Sequence, residues 1–334
     1  MKRVLFFMIL CLGLVSCKKV FFDEEPGVSN ADVFNQVWEY TNEKYSFFEF
    51  KNIDWDSVKT VYQVKVDGEI SKDSLFNVLS DMLYVLRDGH VNLISSFDVS
   101  RNWNWFLDYP DNYNSSMLER YYFKDEQQFM GPFTVFDFGD VGYAHYGSFS
   151  STISENSMEQ LLNKFKGHKG LIIDLRDNGG GAISNVYKMG NYFVSEPTLV
   201  GYHRVKNGPG INEFTEFGGL QFTPVKDYPA YSKPVVILTN RKCYSATNMF
   251  RTMMGGLPNV TVIGDRTGGG GGVPTYTQLS NGWSLRVSST QTISLDFVNN
   301  EDGLLPDRRI DMSSIDENNN IDSILEDALS FLRQ

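Results

Sequence analysis

Leu171-Ile172-Ile173-Asp174-Leu175-Arg176-Asp177-Asn178-Gly179-Gly180-Gly181 is the stretch that decides the fold. A short apolar run, Leu171–Leu175, reads as a buried strand. It feeds a glycine-rich turn at 178–181, and a helix is predicted near Ile183–Phe193. Glycines let a backbone approach a ligand closely, and peptide N–H groups at a helix start favour negative charge. The turn has neither a Lys-Ser/Thr ending nor G-x-G-x-x-G spacing, which argues against a nucleotide cradle. An oxyanion hole rests on the same physics, and a plain turn needs only the same glycines.

Working outward, the layout repeats. Val235–Leu238 is a second apolar strand, leading through Thr239-Asn240-Arg241-Lys242-Cys243-Tyr244 to a helix at Ser245–Met254. Val260–Ile263 is a third strand, Phe133–Phe138 and Gly142–Tyr146 read as earlier ones, and Ser157–Phe165 as a helix. Short apolar strands separated by helices imply parallel βαβ units, with ligands at the carboxyl ends of the strands. Ser245 falls at a helix start, where the dipole favours a developing anion and the Ala246 N–H can face it. A serine there is also an ordinary N-cap. Beyond Gly268–Gly272 come β segments through Leu295. A last amphipathic helix is predicted, with Ile321, Ile324, Leu325, Ala328, Leu329 and Leu332 on its buried face.

The first third reads differently. Helices are expected at Ala31–Tyr45, where Ser29 and Asp32 form a capping-box start, at Trp55–Val66 and at Ser71–Leu86. Trp103, Trp105, Phe106, Tyr109 and Tyr113 crowd an Asn- and Asp-rich segment, either a substrate cap or a packed subdomain. His90, beside Gly89 at a helix-to-strand junction, is either structural or open to a cleft. The organisation read from these signals is 1–16 signal peptide, 17–28 tether, 29–90 helical N-terminal domain, 91–130 aromatic-rich cap or reduced insert, and 131–334 α/β core.

The chain has 334 residues, a net charge of −11, 41% hydrophobic and 21% charged residues. This is a globular composition, and its acidic balance argues against nucleic acid as a partner. Lys2-Arg3, the apolar run Val4–Leu14 and Leu14-Val15-Ser16-Cys17 resemble a bacterial lipobox. Acylation of Cys17 is the expectation, with a membrane-anchored lipoprotein of the cell envelope, periplasmic or surface-facing, as its consequence. An ordinary secretory signal is the alternative. With Cys11 removed and Cys17 acylated, Cys243 is the remaining thiol, so no intramolecular disulfide is expected. Four histidines without H-E-x-x-H, and no C-x-x-C, give no metal constellation.

Taken together, the pieces resemble serine peptidase family 41, the C-terminal processing peptidases and tricorn core proteases. Trp38, Tyr45 and Asp54-Trp55 look like its N-terminal helical domain. Leu86–His90 is similar to its D-G-H segment, Gly142-Tyr143 to its G-Y, Asp174–Gly181 to D-L-R-x-N-x-G-G, Cys243–Phe250 to its serine block, and Gly303–Asp307 to the terminal G-x-x-P-D. The resemblance implies a ClpP/crotonase-like α/β core with a mixed, mostly parallel sheet. It implies Ser245 as nucleophile, and peptides or unfolded proteins as substrates, with no cofactor or metal. The processing branch carries a lysine base about 25 residues after the serine, and Gly270 stands there instead. The tricorn-like branch uses a histidine, which His90 matches, supported by a glutamate for which Glu301 and Asn300 are the candidates. The oxyanion donors implied are the N–H groups of Gly180 and Ala246. Asn248 replaces the family's usual glutamate, and the interval between His90 and Phe133 leaves no room for a full PDZ domain. Cys243 is a rival nucleophile. A non-catalytic binder of peptide, lipid or glycan and a Ser/His esterase are competing readings.

Overall fold

The computed structural model describes residues 28–103 and 109–334. The signal segment, Cys17 and nearly all of the tether lie outside the described residues, as do Trp105 and Phe106.

Three helices open the chain: α1 (Asn30–Lys44), α2 (Trp55–Gln63) and α3 (Lys72–Tyr84). Each starts on a side-chain cap. Ser29 and Asp32 form the reciprocal capping box at α1, Asp54 accepts from the Ser57 N–H, and Ser71 accepts from the Ser74 N–H. Such caps contribute about 1 kcal/mol each. Strand β1 (Asn92–Ile94) follows directly on His90. A helical turn at Ser115–Met117 runs into a π-helical turn at Leu118–Phe123.

The core then builds β2 (Gln128–Met130), β3 (Phe133–Asp137), β4 (Val141–His145), α4 (Glu155–Phe165), β5 (Gly170–Asp174) and α5 (Ile183–Gly190). After β6 (Thr198–Val205) and β7 (Gly218–Phe222) come β8 (Val235–Thr239), α6 (Ala246–Met254) and β9 (Val260–Gly264). The chain ends with β10 (Pro274–Gln278), β11 (Ser284–Ser288), β12 (Thr290–Ile293), β13 (Arg308–Arg309), α7 (Ser314–Asn318) and α8 (Ser323–Arg333).

Seven strands form the main sheet in the order β13-β9-β8-β5-β4-β3-β2. From β4 to β13 every pairing is parallel, and β3 and β2 are antiparallel. β5 and β8 are buried throughout because both faces are covered. Their side chains divide with period two. Leu171, Ile173, Val235 and Ile237 pack into the main core, while Ile172, Val236 and Leu238 pack with Ile324, Leu325, Ala328, Leu329 and Leu332 of α8. Each such buried Leu or Ile contributes on the order of 2 kcal/mol. Ile321 departs from expectation. It precedes the α8 N-cap Asp322 and is 39% exposed, so the helical stripe begins at Ile324.

Arg176 bolts the sheet to the C-terminus. Its guanidinium is fully buried, bonded to Asp174 at 2.6 Å and to Asp322 at 2.9 Å. Burial pushes the Asp174 carboxyl up, but Arg176 outweighs that and holds it below its usual range. The Arg176 segment of the glycine motif is thus a structural clasp.

Two smaller antiparallel sheets, β1-β11-β10 and β12-β6-β7, complete the fold. β6 and β7 have no counterpart in the sequence reading. The first of these sheets revises the expected 29–90 domain. Helices α1–α3 share one apolar cluster with Leu279, Trp283, Leu285 and Val287 of the β10–β11 hairpin. The helices, within residues 30–84, therefore close their core with residues 279–287.

Candidate active site

Ser245 sits where β8 turns into α6, with φ 59° and ψ −122°. A non-glycine residue at positive φ is strained by about 1–3 kcal/mol and persists only when its surroundings enforce it. Here the Tyr244 N–H bonds the Asn178 carbonyl at 3.2 Å, and the Ser245 N–H bonds the Gly269 carbonyl at 2.9 Å. The turn is pinned between the two glycine-rich loops. Ser245 occupies the N-cap position, yet its side chain makes no capping bond. The plain N-cap reading therefore fails.

The hydroxyl turns to His90 instead. Ser245 Oγ lies 2.9 Å from His90 Nε2, across 155 residues of sequence. His90 is placed by a tight turn in which its N–H bonds Asp88 Oδ1 at 2.7 Å and the Val91 N–H bonds the Asp88 carbonyl at 3.0 Å. Burial lowers the imidazole to about 4, with Arg286 and Lys51 adding to the effect and Asp88 and the Gly272 backbone opposing it. His90 is therefore neutral at pH 7, the form able to accept a proton. Nδ1 is buried and makes no hydrogen bond of ordinary geometry.

That last fact corrects the assignment of Glu301. Its carboxyl accepts from Lys51 Nζ at 2.7 Å and from the Gly271 N–H at 2.8 Å, and it does not reach His90. Burial and nearby Asp88 raise Glu301 to about 8, against the pull of Lys51. Lys51 also donates to the carbonyls of Leu86 and Arg87, just ahead of the Asp88 turn. Asn300, the other candidate, is turned away too: its Nδ2 donates to Thr252 Oγ1 at 2.8 Å. Asn248 is structural, bridging the Asn300 carbonyl and the Thr267 hydroxyl.

The proposed oxyanion donors divide. The Ala246 N–H makes no hydrogen bond within the described residues and lies beside Ser245. The Gly180 N–H is already bonded to Asn178 Oδ1 at 3.0 Å, so the resting protein does not present it as a free donor. Gly180 is nonetheless central. A Cβ there, at φ +102°, meets the Tyr244 carbonyl oxygen at 2.7 Å, Ser245 Cβ at 2.8 Å and the Ala246 nitrogen at 3.0 Å. Only glycine leaves that space open. Asn178 Oδ1 also accepts from Thr247 Oγ1 at 2.7 Å and from the Phe149 N–H at 3.3 Å, which locks the loop against α6.

Cys243 is excluded as nucleophile. Its thiol is fully buried, donates to the Leu175 carbonyl at 2.9 Å, and is pushed far up by burial. At position 270 a side chain would strike the Tyr244 ring at 2.4 Å, so a residue larger than glycine does not fit. Of the aromatic segment, Trp103 bonds the Gly89 carbonyl at 3.1 Å, Tyr109 lies over the Arg241 guanidinium, and Tyr113 stacks on His145.

Sequence reasoning missed Lys51, which sits in an unremarkable loop, and gave no role to Asn178, although it stands inside the glycine motif. Arg286 escaped as well: one arginine in a β segment carries no local signal.

Comparison with known proteins places the fold in a family. The family model described as Peptidase family S41 matches residues 140–310, and that of the Tricorn protease C1 domain matches residues 26–84. A crystal structure of a candidate peptidase from Parabacteroides merdae superposes with a TM-score of 0.86 at 40% identity, covering 91% of this chain and 96% of that one. Mature CPAF shares the fold, with a TM-score of 0.65 at 12% identity over 91% of this chain and 96% of that chain. The carboxy-terminal processing protease CtpA of Bacillus subtilis is 26% identical over 159 residues, which is 47% of this chain and 32% of the relative. The chain thus matches about a third of the length of its curated relatives. By the extent of the family match, and by its near-complete overlap with a 40%-identical structure, the chain belongs to peptidase family S41.

Proposed function

We propose that this chain is a serine peptidase of the C-terminal-processing type, using Ser245 as nucleophile and His90 as base, and held at the cell envelope through acylated Cys17. The observation that carries the catalytic part is the 2.9 Å contact between His90 Nε2 and Ser245 Oγ. Family membership and relatives such as CtpA support the reaction class.

In this reading Ser245 Oγ attacks a peptide carbonyl while its proton passes to His90 Nε2. The carbonyl oxygen becomes anionic beside the Ala246 N–H, and it competes with Asn178 Oδ1 for the Gly180 N–H. The C–N bond breaks as His90 gives its proton to the leaving amine. A water then loses its proton to His90 and attacks the acyl-enzyme, which releases the carboxylic acid and restores Ser245. Each oxyanion donor is worth roughly 3–4 kcal/mol of barrier.

The test is covalent labelling with a fluorophosphonate, together with cleavage of an unfolded protein. Wild type should label at Ser245. Ser245→Ala should lose label and cleavage, and His90→Ala should lose cleavage to a similar degree, because the pair acts as a unit. Full cleavage by Ser245→Ala would falsify the assignment. The non-catalytic reading predicts no labelling of the wild type. Anchoring is tested separately: metabolic incorporation of a fatty-acid label should be abolished by Cys17→Ala.

A further inference from the structure

A cavity of about 300 Å³ opens directly beside the nucleophile. Ser245, Ala246, Ile183, Met249, Val273 and Arg286 contribute to its walls. Most of this lining is apolar or bare backbone, and Arg286 supplies the positive charge. The strand pattern puts it there. Along β11, Leu285 and Val287 are buried among the helices, so Arg286 projects from the opposite face. The cross-strand partner of Arg286 on β1 is Asn92, two residues after His90, so the sheet register sets the guanidinium close to the imidazole.

Arg286 is poorly satisfied. Its contacts are a long 3.4 Å bond from Nη1 to Asn92 Oδ1 and the Tyr276 ring at 5.6 Å, while its Nε is buried without a hydrogen-bond partner. No carboxylate among the described residues pairs with it. The guanidinium is half-buried, and a cation drawn partly out of water without a counter-charge leaves room for a ligand that supplies one. The side chain of the residue under attack lies beside its own carbonyl, and that carbonyl must face the Ala246 N–H. The cavity adjoins the same N–H.

We propose that Arg286 makes this a pocket for an acidic side chain, so that cleavage follows substrate residues bearing a carboxylate. The inference rests on the Ser245 reading above and adds the substrate class to it. It also gives the charge a part in turnover. Arg286 opposes protonation of His90, and a substrate carboxylate held against Arg286 cancels that opposition when the imidazole must accept a proton. The preference should therefore appear in kcat as well as in KM.

The experiment uses peptides with blocked, amidated C-termini that differ only in having Glu, Gln, Leu or Lys at the position before the scissile bond. Wild type should prefer Glu over Gln by about tenfold in kcat/KM, the low end for a close charge pair. In Arg286→Gln that ratio should collapse toward one. Arg286→Lys should keep part of it, and Arg286→Glu should shift preference to Lys. Labelling of Ser245 by fluorophosphonate in each variant shows that it has folded around a competent nucleophile. Equal cleavage of Glu and Gln by a wild type that labels overturns this inference alone. So does a preference that survives Arg286→Gln, or one seen only with a free terminal carboxylate. A wild type that neither labels nor cleaves overturns the Ser245 reading and this inference with it.

Discussion

Gly180→Ala isolates the space in front of the candidate oxyanion donor. The added methyl would lie 2.7 Å from the Tyr244 carbonyl oxygen and 2.8 Å from Ser245 Cβ, closer than real Cβ atoms approach. One of those atoms is backbone and the other belongs to a side chain tied to His90, so neither swings aside. Two costs follow. A side chain on a φ of +102° strains the backbone by roughly 1–3 kcal/mol, which lowers the melting temperature. The methyl also stands 3.0 Å from the Ala246 nitrogen, where the anionic oxygen has to come. Blocking one such donor costs about 2.7–4 kcal/mol of barrier, or 10²–10³ in kcat. The matched control is Gly179→Ala. Gly179 is exposed, and a Cβ there meets nothing within 4 Å. Thermal melts should show the strain in the first variant and little in the second, and hydrolysis measured well below both melting points should separate them by two or more orders of magnitude. A Gly180→Ala enzyme that turns over as fast as Gly179→Ala would refute the placement of the oxyanion.

Three further outcomes are expected. Burial holds the His90 imidazole at about 4, and the base must be neutral, so kcat/KM should persist on acidification and fall only as pH drops through about 4; an acid limb at the ordinary histidine value contradicts this. Removing the clasp with Arg176→Leu leaves Asp174 and Asp322 buried without their cation, and the urea midpoint should report a loss of about 3–5 kcal/mol; an unchanged midpoint contradicts the clasp. Glu301 is raised from 4.5 to about 8 on folding, chiefly by burial. The folded state then holds a proton that the unfolded state gives up. The stabilisation this provides is present below 4.5 and declines as pH rises through about 8, so the stability difference between wild type and Glu301→Gln should change across that window; a flat difference argues that Glu301 is ionised throughout.

The parts legible in the sequence were those with local signatures. Apolar runs bounded by turn residues located β5, β8 and β9, a capping box located α1, and apolar residues at helical spacing located α3. The motifs named both Ser245 and His90, but no periodicity says that residues 155 apart meet. Contacts set by cross-strand register were hidden. Arg286 faces the cleft because it pairs with Asn92, and Lys51 matters because a loop folds under the Asp88 turn. Glu301 was singled out from its distance to Gly303, and spacing could not reveal that its oxygens belong to Lys51 and Gly271. β6 and β7 escaped because their strands are half-exposed and interrupted by glycine, which blurs the alternation that marks a strand.

The apolar cluster shared by α1–α3 and the β10–β11 hairpin bears on when the proposed dyad can form. Synthesis delivers the histidine early and the serine late, and the platform carrying the histidine lacks its underside until residues 279–287 have been made. A growing chain therefore holds both reactive groups for some time before it can bring them together. On the proposed reading, His90 and Ser245 can be held together only once residues 279–287 have been made.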